Sequence, residues 1–518
     1  MLKRNILFLL SISLLFLSGC GDNQKPEKNT DAVFESNSGG SAETAFTGEK
    51  QVITLGMFSD SKEHIESGGI SYNFLSTTPR FSTYPCNEMN TYLRGCVNEF
   101  NKTSMEYEIE IIEYGEVGTL EASEKLSTEL GSGNSPDILF LQGCDYERYA
   151  KKGYFLDLYT FFGEEGDDGA VSKDDFFIGP LQSMEYHGKL YCFSPEVVVL
   201  TYCGLTSEIG DIDMLSAEEL MSLWNAAERP NEVLLPTMFL TGATSLDLFE
   251  LLFIAQRDRF IDIENNFADL ESQEFINLLK LCNSVGMQKI QTPLMKSRIE
   301  RTSTYLANKE CLLSGAYVEY FSTYSEFTTF AGENVSYIGI PGAENGDALC
   351  FSVLPMAISA DSKNSEGAWK FISSLITRDF AVNIVSTPIH IDTYNYVASI
   401  PKRDYETISQ KEVYSFDEYL EAWDAYEQGD DSLINELSQN EGYDERTQTM
   451  VDLKPVTRED YEFMMKVRNS ASYRFYPYAP EYKIVFDEVP AYFNGECTAE
   501  EAAHRIQSRV AVYLSEQG

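Results

Sequence analysis

The chain has 518 residues, with 82 acidic against 39 basic side chains and a net charge of −43. That balance excludes a nucleic-acid partner, because neutralising phosphates takes clustered Lys and Arg. It describes a body kept soluble and repelled by anionic surfaces. With 43% hydrophobic residues, 32 Phe and 31 Tyr, this is not a disordered chain, and residues 51–518 exceed one ordinary core, so two domains or lobes are expected.

Lys3 and Arg4 precede an almost wholly apolar run from Ile6 to Leu17, the order of a secretory signal peptide. The run is shorter than the about 20 residues that a bilayer span needs, and no later stretch is long and apolar enough to cross one. It closes on Leu17-Ser18-Gly19-Cys20, which resembles the bacterial lipobox. The resemblance implies that residues 1–19 are a signal peptide and that Cys20 carries a diacylglyceryl group, with acyl chains such as palmitate, at the new N-terminus. Two chains on one residue hold where one is marginal, at roughly 0.8 kcal/mol per buried methylene. Residues 20–50 are then the lipidated Cys and a flexible linker, too rich in Ser, Gly, Glu, Asn and Thr to offset ordering entropy.

VITLGMF at 52–58 predicts a buried first strand. The Gly-, Pro- and Ser-bearing stretch after Phe58 has no period and predicts a long loop or insertion. Met89, Leu93, Cys96, Val97 and Phe100 recur at helical spacing, YEIEI at 107–111 alternates as a strand, LEASEKLSTELGSG predicts a helix, and PDILFL at 136–141 a buried strand. This β-α-β-α-β opening is the pattern of an α/β lobe with a mostly parallel sheet. Ser216-x-x-Glu219 signals a capping box, and LDLFELLFIAQ and EFINLLKLC predict helices in the middle of the chain. VSYIGIPG at 335–342 predicts strand then turn, and ALCFSVLPMAIS at 348–359 a further strand. Ala368, Trp369, Phe371, Ile372, Leu375 and Ile376 mark an amphipathic helix. Residues 411–460 are acidic and expected to be helical, starting at Ser415-x-x-Glu418. Thr498-x-x-Glu501 opens a last helix with the stripe Ala502, Ala503, Ile506, Val510, Tyr513 and Leu514.

Chemistry-bearing motifs are absent: no P-loop, no G-x-G-x-x-G, no H-E-x-x-H and no G-x-S-x-G. His64, His187, His390 and His504 lie far apart, and His504 is expected on the surface. Asp211-x-Asp213 and Asp167-Asp168 lack the calcium-loop pattern and predict solvated turns. No cofactor, no metal and no catalytic residue is expected. Beyond Cys20, nine cysteines are scattered without C-x-x-C. Cys86/Cys96 and Cys192/Cys203 could each close a short loop; the odd count favours small buried hydrophobes instead.

Four stretches, in order and spacing, resemble the extracellular solute-binding proteins of family 1, the group that includes maltose-binding protein. They are SPDILFLQGCDYERYAKKGYFLDL (135–158), HGKLYCFSPEVVVLTYCG (187–204), ALCFSVLPMAISADSKNSEGAWKFISSLIT (348–377) and YFNGECTAEEAAHRIQSRVAVYLSE (492–516). Tyr202-Cys203 stands where that family has Tyr-Asn.

The resemblance implies an α/β, periplasmic-binding-protein-like type II fold of two hinged lobes. The N-terminal lobe would be 51–190 plus 340–378, and the C-terminal lobe 191–339 plus 379–518, with a solute held between them. It implies a non-enzymatic, lipid-anchored receptor on the extracytoplasmic face of the bacterial cell membrane, monomeric, delivering a sugar or oligosaccharide to the permeases of an ABC-type importer. The alternatives are a binding or adhesion lipoprotein without a transporter and, less favoured, a glycan-active hydrolase. On the loops that would face the cleft, Ser59 and Asp60 follow the first strand. Gln142 and Asp145 follow PDILFL as hydrogen-bonding groups. Tyr202 ends the crossing strand as a stacking ring. Tyr317, Glu319 and Tyr320 come from SGAYVEY, and Phe351 and Ser352 from the returning strand.

Overall fold

Two sheets organise the computed structural model, which describes residues 49–59, 86–116, 120–141, 146–163, 171–226, 245–284, 306–309, 311–318, 321–343, 345–377, 387–398, 416–437, 441–444, 449–474 and 480–517. The strands that position the site are, in chain order, β1 (Gln51–Ser59), β2 (Tyr107–Glu116), β3 (Ile138–Phe140), β4 (Glu196–Leu205), β5 (Ser314–Tyr317), β6 (Val335–Gly339), β7 (Leu349–Ser352), β8 (Met356–Ile358), β9 (Thr387–Pro388) and β10 (Tyr473–Arg474).

The first sheet has the order β8-β3-β1-β2, with β1, β2 and β3 parallel and β8 returning antiparallel beside β3. Parallel neighbours need crossovers, supplied by α1 (Cys86–Thr103) and α2 (Leu120–Ser132). Leu93, Cys96, Val97 and Phe100 of α1 are buried, as their spacing predicts. The Asp137 carboxylate ties three segments together. It accepts from the Thr54 N–H at 2.9 Å, the Thr54 hydroxyl at 2.8 Å and the Ser362 hydroxyl at 2.7 Å. The Pro-Asp and Ser-Lys-Asn motifs, more than two hundred residues apart, therefore meet at one side chain.

The second sheet is assembled on β4, all ten residues of which are buried. Leu200 pairs with Leu349 on one side and with Tyr317 on the other, and Val197 pairs with Ser352 and with Thr387. So β6 and β7 lie along one edge of β4, and β5 and β9 along the other; β10 adds in parallel outside β7.

The segment 348–359 is not one strand. β7 hydrogen-bonds in the second sheet and β8 in the first, with the break at Val353–Pro355. Pro355 has no N–H to continue a ladder, and its carbonyl instead accepts Leu141 N–H at 2.7 Å. Residues 340–352, counted with the N-terminal lobe from the sequence, thus include a strand of the second sheet.

The buried residues divide instead within β4. The largest cluster joins the first sheet to Val197, Val198 and Val199 of β4. The second begins at Leu200 and Tyr202 and gathers α4 (Ser245–Phe260), α5 (Gln273–Ser284), α10 (Pro480–Phe493) and α11 (Ala499–Gln517). Between α5 and α10 come α6 (Ser365–Ser374), α7 (Ile391–Ala398), α8 (Phe416–Glu427) and α9 (Arg458–Asn469). Ile389, Tyr394, Tyr419, Trp423, Met464, Val467 and Ala471, expected in the C-terminal lobe, pack in the first cluster. The acidic region docks there through the aromatic face of α8, with the Trp423 indole N–H donating to the Val456 carbonyl at 2.8 Å. It is not helical throughout: Glu441–Asp444 and Thr449–Asp452 form an antiparallel ribbon, as the Tyr, Thr and Val of that stretch favour.

Two expected caps form, while Ser415 lies outside the described residues. Ser216 and Glu219 exchange hydrogen bonds, and Thr498 N–H donates to Glu501 while Glu501 N–H donates to Thr498. Cys96, Cys192, Cys203, Cys282, Cys311 and Cys350 are buried free thiols, and Cys497 is a free thiol at intermediate exposure. Cys192 and Cys203 therefore do not pair, and the Cys86/Cys96 bridge is excluded by the free Cys96.

Candidate functional site

In open α/β sheets ligands sit beyond the carboxyl ends of the strands. In the first sheet those ends are Ser59, Glu116 and Phe140. The passages to the second sheet begin beside them: Phe193 and Met356 exchange backbone hydrogen bonds at 2.8 and 2.9 Å, next to the Leu141–Pro355 bond. Ser194 locks the passages together, its hydroxyl donating to the Glu196 carbonyl at 2.5 Å and accepting from Leu354 N–H at 2.9 Å.

Glu196 opens β4 and is only 1% exposed. Alternate residues of a strand share a face, and so do directly paired residues of antiparallel neighbours. Val198 pairs with Phe351 and Leu200 with Tyr317. Glu196, Phe351 and Tyr317 therefore belong to one face of the second sheet, a carboxylate with an aromatic ring on each flank of its strand. Phe351 and Tyr317 are both partly buried and pack against both core clusters, so they lie where the two meet.

Across from them stands α1. The Tyr92 hydroxyl donates to Glu196 Oε1 at 2.9 Å. A hydrogen bond to a charged group contributes roughly 1.5–3 kcal/mol. Burial, and then the neighbouring Glu196 carboxylate, push the Tyr92 phenol far above the usual tyrosine range, so it remains the donor at every physiological pH. Tyr92 also packs with Tyr396 and Val397 of α7. Asn90 anchors the same helix to the end of β1 by donating to the Phe58 carbonyl at 3.1 Å. The arrangement offers one buried carboxylate, a phenol and several ring faces; rings cover apolar C–H surfaces, and carboxylates accept from hydroxyls.

Of the sequence-predicted residues, Tyr317 and Phe351 are brought onto one face of β4, whereas Ser352, opposite Val197, belongs to the other face. Ser59 ends β1 at the carboxyl edge, half-buried. Tyr202 does not end its strand, which runs on to Leu205; at 3% exposure it packs in the second cluster rather than offering a free ring. Asp60, Gln142, Asp145, Glu319, Tyr320 and Cys20 lie outside the described residues, as do His64 and Asp167-Asp168. Asp211 and Asp213 are exposed, and among the described residues no three His, Cys, Asp or Glu gather in a metal-holding group. His504 is exposed and pairs with Glu271. Glu196 and Tyr92 were missed. The available signal was a single carboxylate at the head of the apolar run PEVVVL, where burial demands a partner.

A model of the bacterial extracellular solute-binding proteins matches residues 96–402. No curated protein matches the chain. Among solved structures, an ABC substrate-binding protein from Listeria monocytogenes in complex with cycloalternan is similar at 14% identity over 90% of this chain and 100% of its own, TM-score 0.44. The sugar-binding protein MalE from Xanthomonas citri is similar at 14% identity over 90% and 98%, TM-score 0.45. The GacH receptor of Streptomyces glaucescens, solved unliganded and with acarbose, is similar at 13% identity over 90% and 100%, TM-score 0.44. No helix among the described residues is long and apolar enough to cross a membrane.

Proposed function

The chain belongs to the bacterial extracellular solute-binding proteins, and from that premise we propose that it is the lipid-anchored receptor of an ABC-type importer for a sugar or oligosaccharide. The observation that carries the sugar reading is the shared face of β4. Tyr317 and Phe351 flank the strand that begins with Glu196, and the Tyr92 hydroxyl meets that carboxylate. Sugars present apolar C–H faces, which aromatic rings cover, and hydroxyls, which carboxylates accept. Asp60, Gln142, Asp145, Glu319 and Tyr320, which follow β1, β3 and β5 in the sequence, are proposed to complete the site.

In this reading one lobe is built on the β8-β3-β1-β2 sheet and the other on the β4 sheet, with the boundary at Val353–Pro355. Solute that touches both lobes only when they are closed shifts the hinge equilibrium by its differential affinity for that state. The importer's permeases then read the closed form. Cys20 and the linker over 20–50 keep the receptor near them, raising its effective concentration.

A thermal-shift panel of mono- and oligosaccharides, peptides and amines tests the solute class, since a ligand of the native state raises its stability by mass action. A shift with sugars is expected; a shift with peptides or amines and none with sugars overturns the assignment. The anchor is tested separately by Cys20→Ala in the full chain. Loss of incorporated labelled palmitate and release into the medium are expected, and retention of the label overturns it.

A further inference from the structure

Arg468, next to the last residue of α9, is a charged side chain with no exposure. Its guanidinium donates from Nη1 to the Val318 carbonyl at 2.9 Å and to the Thr387 hydroxyl at 2.7 Å, and from Nη2 to the Pro388 carbonyl at 2.8 Å. It lies over the Tyr394 ring at 4.0 Å and the Phe177 ring at 4.6 Å. The planar fork of Arg suits such divergent acceptors, and a Lys ammonium reproduces it only in part.

What these acceptors do is specific. Val318 follows Tyr317 directly, and its N–H donates to the Val199 carbonyl of β4 at 3.0 Å. Thr387 and Pro388 are β9, paired with Val197 and Glu196. Two separate strands, β5 and β9, thus share one edge of β4, and Arg468 bonds to both. The residues after it continue the contact. Asn469 accepts Ile178 N–H at 3.1 Å on α3 (Ile178–Ser183), and a Cβ on Gly179 would stand 2.3 Å from the Asn469 carbonyl oxygen, so the two segments touch backbone to backbone. The Ser470 carbonyl accepts Ala348 N–H, and β10 then pairs with β7.

We propose that Arg468 is the positioning residue of the solute site: by joining β5 and β9 along β4 it sets the spacing between Glu196 and Tyr317. It touches neither the solute nor the Tyr92–Glu196 bond. The proposal rests on the solute site described above.

The test uses the full chain with Arg468→Met and Arg468→Lys, read in two ways. Without solute, amide hydrogen exchange is measured at Val318 and Ile389, whose N–H groups donate to Val199 and Pro195, with Leu55 and Ile138 of the first sheet as references. With maltotriose as probe, affinity is measured by calorimetry. R468M is expected to speed exchange at Val318 and Ile389 at least tenfold with the references unchanged, and to weaken maltotriose at least tenfold. R468K is expected to restore both to within threefold. Unchanged exchange overturns the proposal, as does accelerated exchange with undiminished affinity. If the unmutated chain does not bind maltotriose, the failure belongs to the sugar reading, and the exchange comparison alone judges Arg468. Should R468M not fold, Thr387→Val removes one acceptor, and a threefold change in the same direction is expected in both measurements; no change overturns the proposal.

Discussion

In the first sheet β1 is central, yet it is held by side chains as well as by its ladder. Asp137 reaches it from the head of β3 and joins it to Ser362 beyond β8. In the second sheet β5, β6, β7 and β9 are all hydrogen-bonded to β4, and only β10 is not. The first is therefore a scaffold with redundant ties. The second concentrates its cohesion, and its proposed binding groups, on ten consecutive residues. A residue near that strand that joins two of its neighbours, as Arg468 does, gains influence over the proposed binding groups.

Damage to β4 should spread furthest. Leu200→Ala is expected to cost about 2–5 kcal/mol, as truncating a fully buried Leu does. Amide exchange should rise in both β5 and β7, whereas Leu139→Ala in β3, equally buried, should cost as much but disturb only the first sheet; matching exchange maps for the two variants would erase the contrast.

High pH should strain the first core cluster through its thiols. Burial pushes Cys96 up to about 12 and Cys350 to about 11, against an ordinary value of 9.0. Above pH 9 the unfolded chain releases these protons while the folded one retains them. The stability present below pH 9 is then lost as pH rises toward 11 and 12, by roughly 1.4 kcal/mol per pH unit for each thiol. Urea unfolding in reductant between pH 8 and 10.5 reads the slope, and Cys350→Ala should make it shallower.

A smaller effect is expected at Asp137. Its replacement by Ala strands buried donors for about 1–3 kcal/mol, and exchange should quicken at Thr54 while Val318 is unmoved. Smallest is Thr498→Ala, which removes a helix cap outside both sheets at about 1 kcal/mol, read as a shifted urea midpoint with no change in solute affinity.

The sequence exposed what local pattern controls. VITLGMF and PDILFL read as buried strands because they are unbroken apolar runs, and the last helix read clearly because its cap residues and stripe agree. The change of sheet inside ALCFSVLPMAIS was invisible because apolar character continues across Val353 and Leu354; a strand's burial does not say which sheet it joins. The ribbon at 441–452 was hidden within an acidic stretch flanked by true helices. Of the candidate site, Tyr317 and Phe351 were legible from their place on strands, while Ser352 falls on the opposite face. Glu196 and Arg468 were not legible, since charged residues are normally taken for surface and only their partners, eighty or more residues away, justify their burial. Tyr202 misled because a tyrosine at a strand's apparent end fits a stacking ring as well as a core residue.

Among the described residues, seven cysteines stand outside any disulfide, with a consequence for how the molecule is made. None of these positions needs an oxidant to reach the described fold, and six are shielded from one once there. A chain of this kind can be folded in a reducing medium and moved to an oxidising one without thiol exchange at those six sites. Its integrity outside the cell then depends on staying folded, because burial is what keeps those sulfurs from an oxidant.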